Sequence, residues 1–264
     1  MLTKDQEYLR DSQYRDASKL EARSRLHRKY GRQDWFEWLA NHGHWPERGA
    51  CLDAGCGAGA FWNAMASNLP ASLSLTLLDL SPGMVAAAVQ AALGANRWDN
   101  VEGKTADASA IPFADGSFDC VLAIHMLYHL PDPEAGVAEL RRVLKPGGVA
   151  LIALNDRHNM RELGDLRRQA IPDAGPPRPP PYDLTDAEPV LRRTFNQVEL
   201  IRYPDELVCT EPQDVIDYLM SMPPADAASE AQRLELATAV RAAFARQGGV
   251  FRVGKAVGLF RCVA

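Results

Sequence analysis

Between residues 50 and 155 short apolar runs alternate with longer amphipathic stretches. The runs near 50–54, 73–79, 101–105, 119–124 and 148–154 read as strands, and 59–68, 83–93 and 133–144 as helices. The "KPGG" at 145–148 stops the last helix, because proline and glycine end helical periodicity. Strands alternating with helices of this length imply a parallel sheet joined by right-handed crossovers. The expected core is therefore an open, doubly wound α/β sheet.

The flanks read differently. Residues 1–46 look helical, with Leu20, Leu26, Tyr30, Trp35, Phe36, Trp38 and Leu39 as an apolar face, until "HWPERGA" breaks the pattern. After residue 155, "NDRHNMRELGDLRRQAI" looks helical, whereas "PDAGPPRPPPYDL" cannot be, since its prolines remove donors and hold the chain extended. The default reading of the 172–181 proline-rich segment is a rigid linker. A strand follows near 198–203, then two helices, and the closing "FRVGKAVGLFRCVA" suits a final hairpin or edge strand. The expected organisation is an N-terminal helical cap over 1–46 and a main domain over 47–264. Cap insertions fall at about 156–190 and 205–249.

Composition narrows the class. The chain has 264 residues, 47% hydrophobic and 24% charged, with a net charge of -5, which counts mildly against nucleic acid as a partner. Seven basic residues between Arg15 and Arg32 read as a solvated helix face. The five cysteines are scattered, without a CxxC pair, as reduced core thiols are. No apolar run is long enough to span a bilayer, and "MLTKDQEYLRDSQYRD" is charged from its start. A cytoplasmic protein that binds no membrane is expected, and its N-terminal arm can pair with a second copy in a homo-oligomer.

The candidate chemistry begins at "CLDAGCGAGAFW", residues 51–62. A strand running into a glycine-rich turn and a helix presents backbone N–H groups and lets a ligand approach closely. The spacing of Gly55, Gly57, Gly59 and Ala60 fits both dinucleotide and adenosyl ligands. Asp53 tilts the choice, because a carboxylate at the loop mouth repels a pyrophosphate and suits an amino group or sulfonium. S-adenosylmethionine carries both. Asp79, twenty residues beyond Gly59 at the end of the second strand, suits a ribose, and Asp107 with Ala108 after the third strand suits the adenine edge.

"LDAGCGAG", "LLDLSPGMV", "DASAIPFADGSFDCVLAIHMLYHLPD" and "ELRRVLKPGGVALIAL", in this order, resemble the class I S-adenosylmethionine-dependent methyltransferases. More narrowly they resemble the small-molecule branch known as methyltransferase domain 11. The resemblance covers about 50–155 and implies a Rossmann-like, seven-stranded sheet with its last strand antiparallel. It places Asp53, Gly55 and Gly57 along the methionine half of the cofactor, with Cys56 and Gly59 also among the cofactor-binding residues, and Asp79 on the ribose. Leu80 and Met84 would flank adenine, with Asp107 and Ala108 at its edge. Ile124 departs from relatives, which frequently carry a polar residue there.

Methyl transfer requires a nucleophile held in line with the sulfonium methyl in a dry pocket, and a base where the acceptor must lose a proton. "AIHMLYHLPD" puts His125, Tyr128 and His129 at the fourth strand end, where open α/β sheets bind ligands. His129 is the first choice as base or orienting group, with capping of the following turn as its bland alternative. The i, i+4 spacing of His125 and His129 fits a metal pair, but without HExxH context or a third ligand no metal is expected. Asn155 and His158 follow the fifth strand, and Tyr8, Tyr14 and Trp35 from the cap are candidates to cover the acceptor. The sequence thus reads as a methyltransferase acting on a small molecule, with secondary metabolism as one setting. The rivals are a non-methylating S-adenosylmethionine enzyme of this fold, an NAD(P)-dependent oxidoreductase, and an adaptor using the proline segment.

Overall fold

A computed structural model describes residues 25–171, 181–222 and 228–264. Tyr8, Tyr14 and most of the proline-rich segment lie outside the described residues. A helical segment at 25–30 leads to α1 (Trp35–His42), followed by β1 (Arg48–Ala54), α2 (Ala60–Ala64), β2 (Ser72–Asp79), α3 (Pro82–Gly94) and β3 (Asn100–Thr105). Then come β4 (Phe118–Ile124), a 3-10 turn at Leu127–His129, α4 (Pro133–Val143), β5 (Leu144–Asn155) and α5 (Arg161–Ala170). The chain continues through α6 (Leu184–Thr194), β6 (Gln197–Arg202), β7 (Glu206–Cys209), α7 (Pro212–Met220), α8 (Glu230–Arg246), β8 (Phe251–Gly254) and β9 (Val257–Val263).

Seven strands form one sheet in the order β3-β2-β1-β4-β5-β9-β6. The pairs from β3 to β5 are parallel, and β9 runs antiparallel to both β5 and β6. The alternation of side chains along each strand explains the double winding. Leu52, Val121, Ala150, Ile152 and Phe260 bury one face together with α4 and α6. Cys51, Cys120, Leu122, Leu151 and Leu259 bury the other, against α1, α2 and α3. Helix starts are specified locally. Asp34, Ser81, Asp132, Asp183 and Ser229 each cap a helix through a side-chain oxygen, and Pro82 and Pro133 occupy first turns.

A second lobe has its own core. Leu26 and Tyr30 join Leu163, Leu166, Leu207, Val215, Leu236, Val240, Phe244 and Val253, so α5, α7, α8 and the β7–β8 ladder pack on the 25–30 helix. The N-terminal apolar face is consequently divided at Gly31. Leu26 and Tyr30 serve this lobe, whereas Trp38 and Leu39 serve the main sheet.

Two expectations need correction. The C-terminal run forms no hairpin, and its last strand is not an edge: Phe251–Gly254 pairs with Glu206–Cys209 in a separate two-stranded ladder, while β9 lies inside the main sheet. Burial on both faces, with Leu259, Phe260 and Cys262 all inaccessible, fixes that interior position. The stretch up to residue 190 also does not all belong to an insertion. Leu184, Ala187 and Val190 of α6 are in the main core, and Asp183 and Asp186 form its capping box.

Candidate active site

The carboxyl ends of β1, β2 and β3 are knitted together by backbone bonds. The N–H groups of Gly55 and Cys56 donate to the Leu78 carbonyl at 2.7 and 3.0 Å, and that of Ala106 to the Asp79 carbonyl at 3.1 Å. The three glycines, all with positive φ, then serve two purposes. A Cβ on Gly55 would lie 2.7 Å from Met126 Cβ, and one on Gly59 would lie 2.7 Å from Ala88 Cα, so both are demanded by packing. Gly57 faces open space. Of the three glycines it is the one whose α-carbon has room for a ligand to approach.

Two carboxylates bracket this opening. Asp53, next to last in β1, is 5% exposed, and its Oδ2 accepts Trp62 Nε1–H at 2.8 Å. Burial pushes its pKa up to about 7; the Trp62 bond opposes that rise and the nearby Asp79 charge adds to it. Asp79 accepts Gly57 N–H at 3.0 Å on Oδ2 and Ser81 N–H at 2.9 Å on Oδ1. Its pKa is raised, by burial against these backbone bonds. Each Asp79 oxygen has capacity for a further donor, which fits a vicinal pair of ribose hydroxyls. Cys56 lies half-buried between these carboxylates, and burial drives its thiol far up, so it stays protonated.

The remaining adenosyl-side candidates are nearby but less open. Leu80 is half-buried beside Asp79, whereas Met84 is 1% exposed, so its side chain is not presented at a surface as an adenine wall. Asp107 accepts Ser109 N–H at 2.8 Å and closes its own loop, while Ala108 is buried in the core.

The chain beyond β4 divides the histidines. Tyr128 is buried in the main core with His129 edge-on to it at 4.6 Å. Asp132 caps α4 at the turn that follows His129. His125 lies elsewhere, in the left-handed region at φ 57, where a non-glycine residue costs roughly 1–2 kcal/mol. Trp35 sits 5.2 Å from it at a tilt of 41°. Its Nδ1 is buried without a hydrogen-bond partner among the described residues, a state that costs about 1–3 kcal/mol. Burial, then the Lys255 charge, lowers its pKa to about 4.

Around His125 the topology gathers residues that sequence reasoning missed. Tyr203 and Asp205 follow β6, and Lys255 lies two residues before antiparallel β9, so all three reach the same sheet edge as His125. Lys255 Nζ bonds Asp205 Oδ2 at 2.8 Å, with side chains 7% and 0% exposed, and lies 4.6 Å from the Tyr203 ring centre. Burial would raise Asp205, but the Lys255 bond and the Arg32 N–H outweigh it and hold the carboxylate below its usual range. Burial pulls Lys255 down against that same bond. Tyr203 donates its hydroxyl to the Gln33 carbonyl at 2.6 Å and meets Trp35 edge-on at 5.1 Å. His27, lowered to about 4 by burial and then by the charges of Lys255 and His125, completes the cluster. The signal in the sequence was Lys255 itself, a lone cation in the apolar run "VGKAVG".

Asn155 is drawn into bracing this loop. Asn159 donates to Asn155 Oδ1 at 3.1 Å and accepts Ala256 N–H at 2.9 Å, next to Lys255. His158 is exposed, with its backbone on Asp156, and is not part of the cluster. Among the described residues no group of three His, Cys, Asp or Glu is arranged to hold a metal, and no helix is long and apolar enough to cross a membrane.

This strand order, with its antiparallel strand between β5 and β6 and its glycine loop after β1, is the class I methyltransferase fold. Residues 52–152 match the family model described as a methyltransferase domain. The chain is similar to the ubiquinone/menaquinone biosynthesis C-methyltransferase UbiE of Geobacter sulfurreducens, 35% identical over 41% of this chain and 42% of that protein. The chain spans about half the length, or less, of the curated relatives it matches. Among solved structures, the YcgJ protein of Bacillus subtilis aligns with a TM-score of 0.59 at 19% identity, over 86% of this chain and 97% of that one. The cyclase SpnF aligns with a TM-score of 0.55 at 20% identity, over 88% and 83%. At these identities the two structures speak for the fold.

Proposed function

We propose that the protein is an S-adenosylmethionine-dependent methyltransferase acting on a small molecule. The observation that carries this reading is the pair of carboxylates, Asp53 and Asp79, bracketing the open Gly57 position. A pyrophosphate placed there would meet two acidic groups. A sulfonium and an amino group would be drawn in, and opposite unit charges in contact near a protein surface interact by about 4 kcal/mol.

When bound, the cofactor supplies an electrophilic methyl group on sulfur. The chain's own residues hold and orient. Asp79 takes the ribose hydroxyls; Leu80 and Asp107 lie beside adenine, with Met84 and Ala108 packed behind them; Asp53, Gly55, Cys56, Gly57 and Gly59 line the amino-acid half. His125, Tyr128 and His129 lie on the acceptor's side, and the lobe of α5, α7, α8, β7 and β8 selects the acceptor. The methyltransferase-domain match over 52–152 and the relatives named C-methyltransferases support transfer over the oxidoreductase and adaptor readings.

Calorimetric titration with S-adenosylhomocysteine, run in parallel with NAD and NADP, tests the proposal. Binding of S-adenosylhomocysteine alone is expected, and binding of a nicotinamide nucleotide in its place would overturn it.

A further inference from the structure

Parallel strands are usually joined through a helix, but the crossover from β3 to β4 has none: residues 106–117 form neither helix nor strand. Its first turn is the one proposed to meet adenine. There Asp107 accepts Ser109 N–H at 2.8 Å on its side chain and Ala110 N–H at 3.0 Å on its carbonyl. The rest of the crossover is held by α4. Arg142, in the last turn of that helix, donates Nη2 to the Ile111 carbonyl and Nη1 to the Phe113 carbonyl, each at 2.8 Å. Its own carbonyl accepts Gly116 N–H at 3.0 Å. Glu139, one turn earlier, accepts Ile111 N–H at 2.8 Å on Oε2 and holds the guanidinium through bonds at 2.7 and 2.8 Å. One ion pair therefore takes both the N–H and the C=O of Ile111, two residues beyond Ser109, while the Ile111 side chain is 3% exposed in the main core.

We infer that Arg142 and Glu139 are positioning residues for the adenine end of the cofactor: by clamping Ile111 they fix the Asp107–Ser109 turn, and with it the choice of a 6-amino over a 6-oxo purine. The inference rests on the methyltransferase reading and deepens its adenine assignment. The clamp is aimed at this crossover. Arg142 also reaches Asp115 at 2.8 Å, so every bond its side chain makes goes to the 106–117 segment or to Glu139, which orients the guanidinium fork. The Arg142 bond holds the Glu139 carboxyl below its usual range against the opposing effect of burial, which keeps Oε2 an ionised acceptor for Ile111 N–H. Purine selection depends on that rigidity. A carboxylate at Asp107 accepts from a 6-amino group and repels a 6-oxo group, and a shift of about 1 Å takes its oxygen out of hydrogen-bond range. The ribose and amino-acid contacts lie on the ends of β1 and β2, which have their own bonds from Gly55 and Cys56 to Leu78. Loosening the clamp therefore blurs the reading of the base before it weakens the hold on the remainder.

The test titrates the full chain calorimetrically with S-adenosylhomocysteine and with S-inosylhomocysteine, which share the ribose and amino-acid halves and differ at position 6 of the purine. The parent should prefer the adenosyl compound at least roughly tenfold, as expected when a carboxylate loses a donor and meets an acceptor. Arg142→Met should cut that preference to below about threefold while S-inosylhomocysteine binding changes by less than about twofold. Glu139→Ala should do the same, whereas Glu139→Gln keeps an acceptor for Ile111 N–H and should retain most of the preference. The two Glu139 variants carry the test if Arg142→Met does not fold. Because the two ligands share everything but the base, a variant that is merely destabilised weakens both together, and that result would overturn the inference. So would equal binding of the two compounds by the parent, or a preference that survives both Arg142→Met and Glu139→Ala. Failure of the parent to bind either compound would overturn the methyltransferase reading and the inference with it.

Discussion

Asp53 offers the sharpest quantitative test. Its carboxyl group is held at a pKa of about 7 by burial, against an ordinary value of 3.8. Between those two values the native state keeps a proton that the unfolded chain has lost, so this group's contribution to stability falls as pH rises. The slope is about 1.4 kcal/mol per pH unit for one proton. From pH 5 to pH 8 the group crosses about two units of that interval, which amounts to about 3 kcal/mol. Asp53→Asn removes the charge but leaves Trp62 Nε1–H an oxygen to donate to. Urea unfolding at pH 5 and pH 8 should therefore show the variant gaining about 2–3 kcal/mol on the parent protein across the range. A difference that stays constant within about 0.5 kcal/mol would refute the reasoning. The same charge should be visible in binding. A cationic ligand favours the ionised carboxylate, so affinity for S-adenosylmethionine should climb from pH 6 to pH 8 in the parent and stay flat in the variant.

Other perturbations separate packing from binding. Gly59→Ala drives a Cβ into Ala88 at positive φ and should cost about 3 kcal/mol in a urea melt. Gly57→Ala meets no neighbour, so it should cost only about 1 kcal/mol while S-adenosylhomocysteine binding weakens at least roughly tenfold. Asp205→Ala strands the buried Lys255 ammonium and should destabilise by about 3–5 kcal/mol; the double variant Asp205→Leu, Lys255→Met should recover most of that in the same melt. Asp79→Ala takes an acceptor from Gly57 and Ser81 as well as from the ribose, so calorimetry should find S-adenosylhomocysteine binding weaker by at least ~1.5 kcal/mol.

The legible parts of the chain were those written in local periodicity. Leu73–Leu78 alternates and runs apolar, "SPGMV" caps and starts a helix, and the glycines of 55–59 announce a tight turn, all within a few residues of one another. What escaped was non-local. Nothing in "FRVGKAVGLFRCVA" says that its first half pairs with residues 206–209 and its second half inserts between two other strands. Lys255, Asp205, Tyr203 and His27 are as much as 228 positions apart and meet only because β6 and β9 end at one edge, with the 25–30 helix against it. Aspartates at successive strand ends were readable in sequence, since strand ends are local features. That Trp62 occupies one oxygen of Asp53 was not, and it follows from α2 folding back over β1.

The interior position of β9 sets the order in which the protein can be finished. Residues 257–263 are synthesised after every other strand of the main sheet, yet both β5 and β6 need them as their hydrogen-bonded neighbour. Until that strand arrives, two inner edges stand open and β6 has no place in the sheet, so the slow, long-range closure comes last. Lys255 lies two residues ahead of β9, and its buried pair with Asp205 is therefore assembled in the same closing event. A nascent chain can build the loop around Gly57 early, but it can present a complete crevice only once its fold has locked.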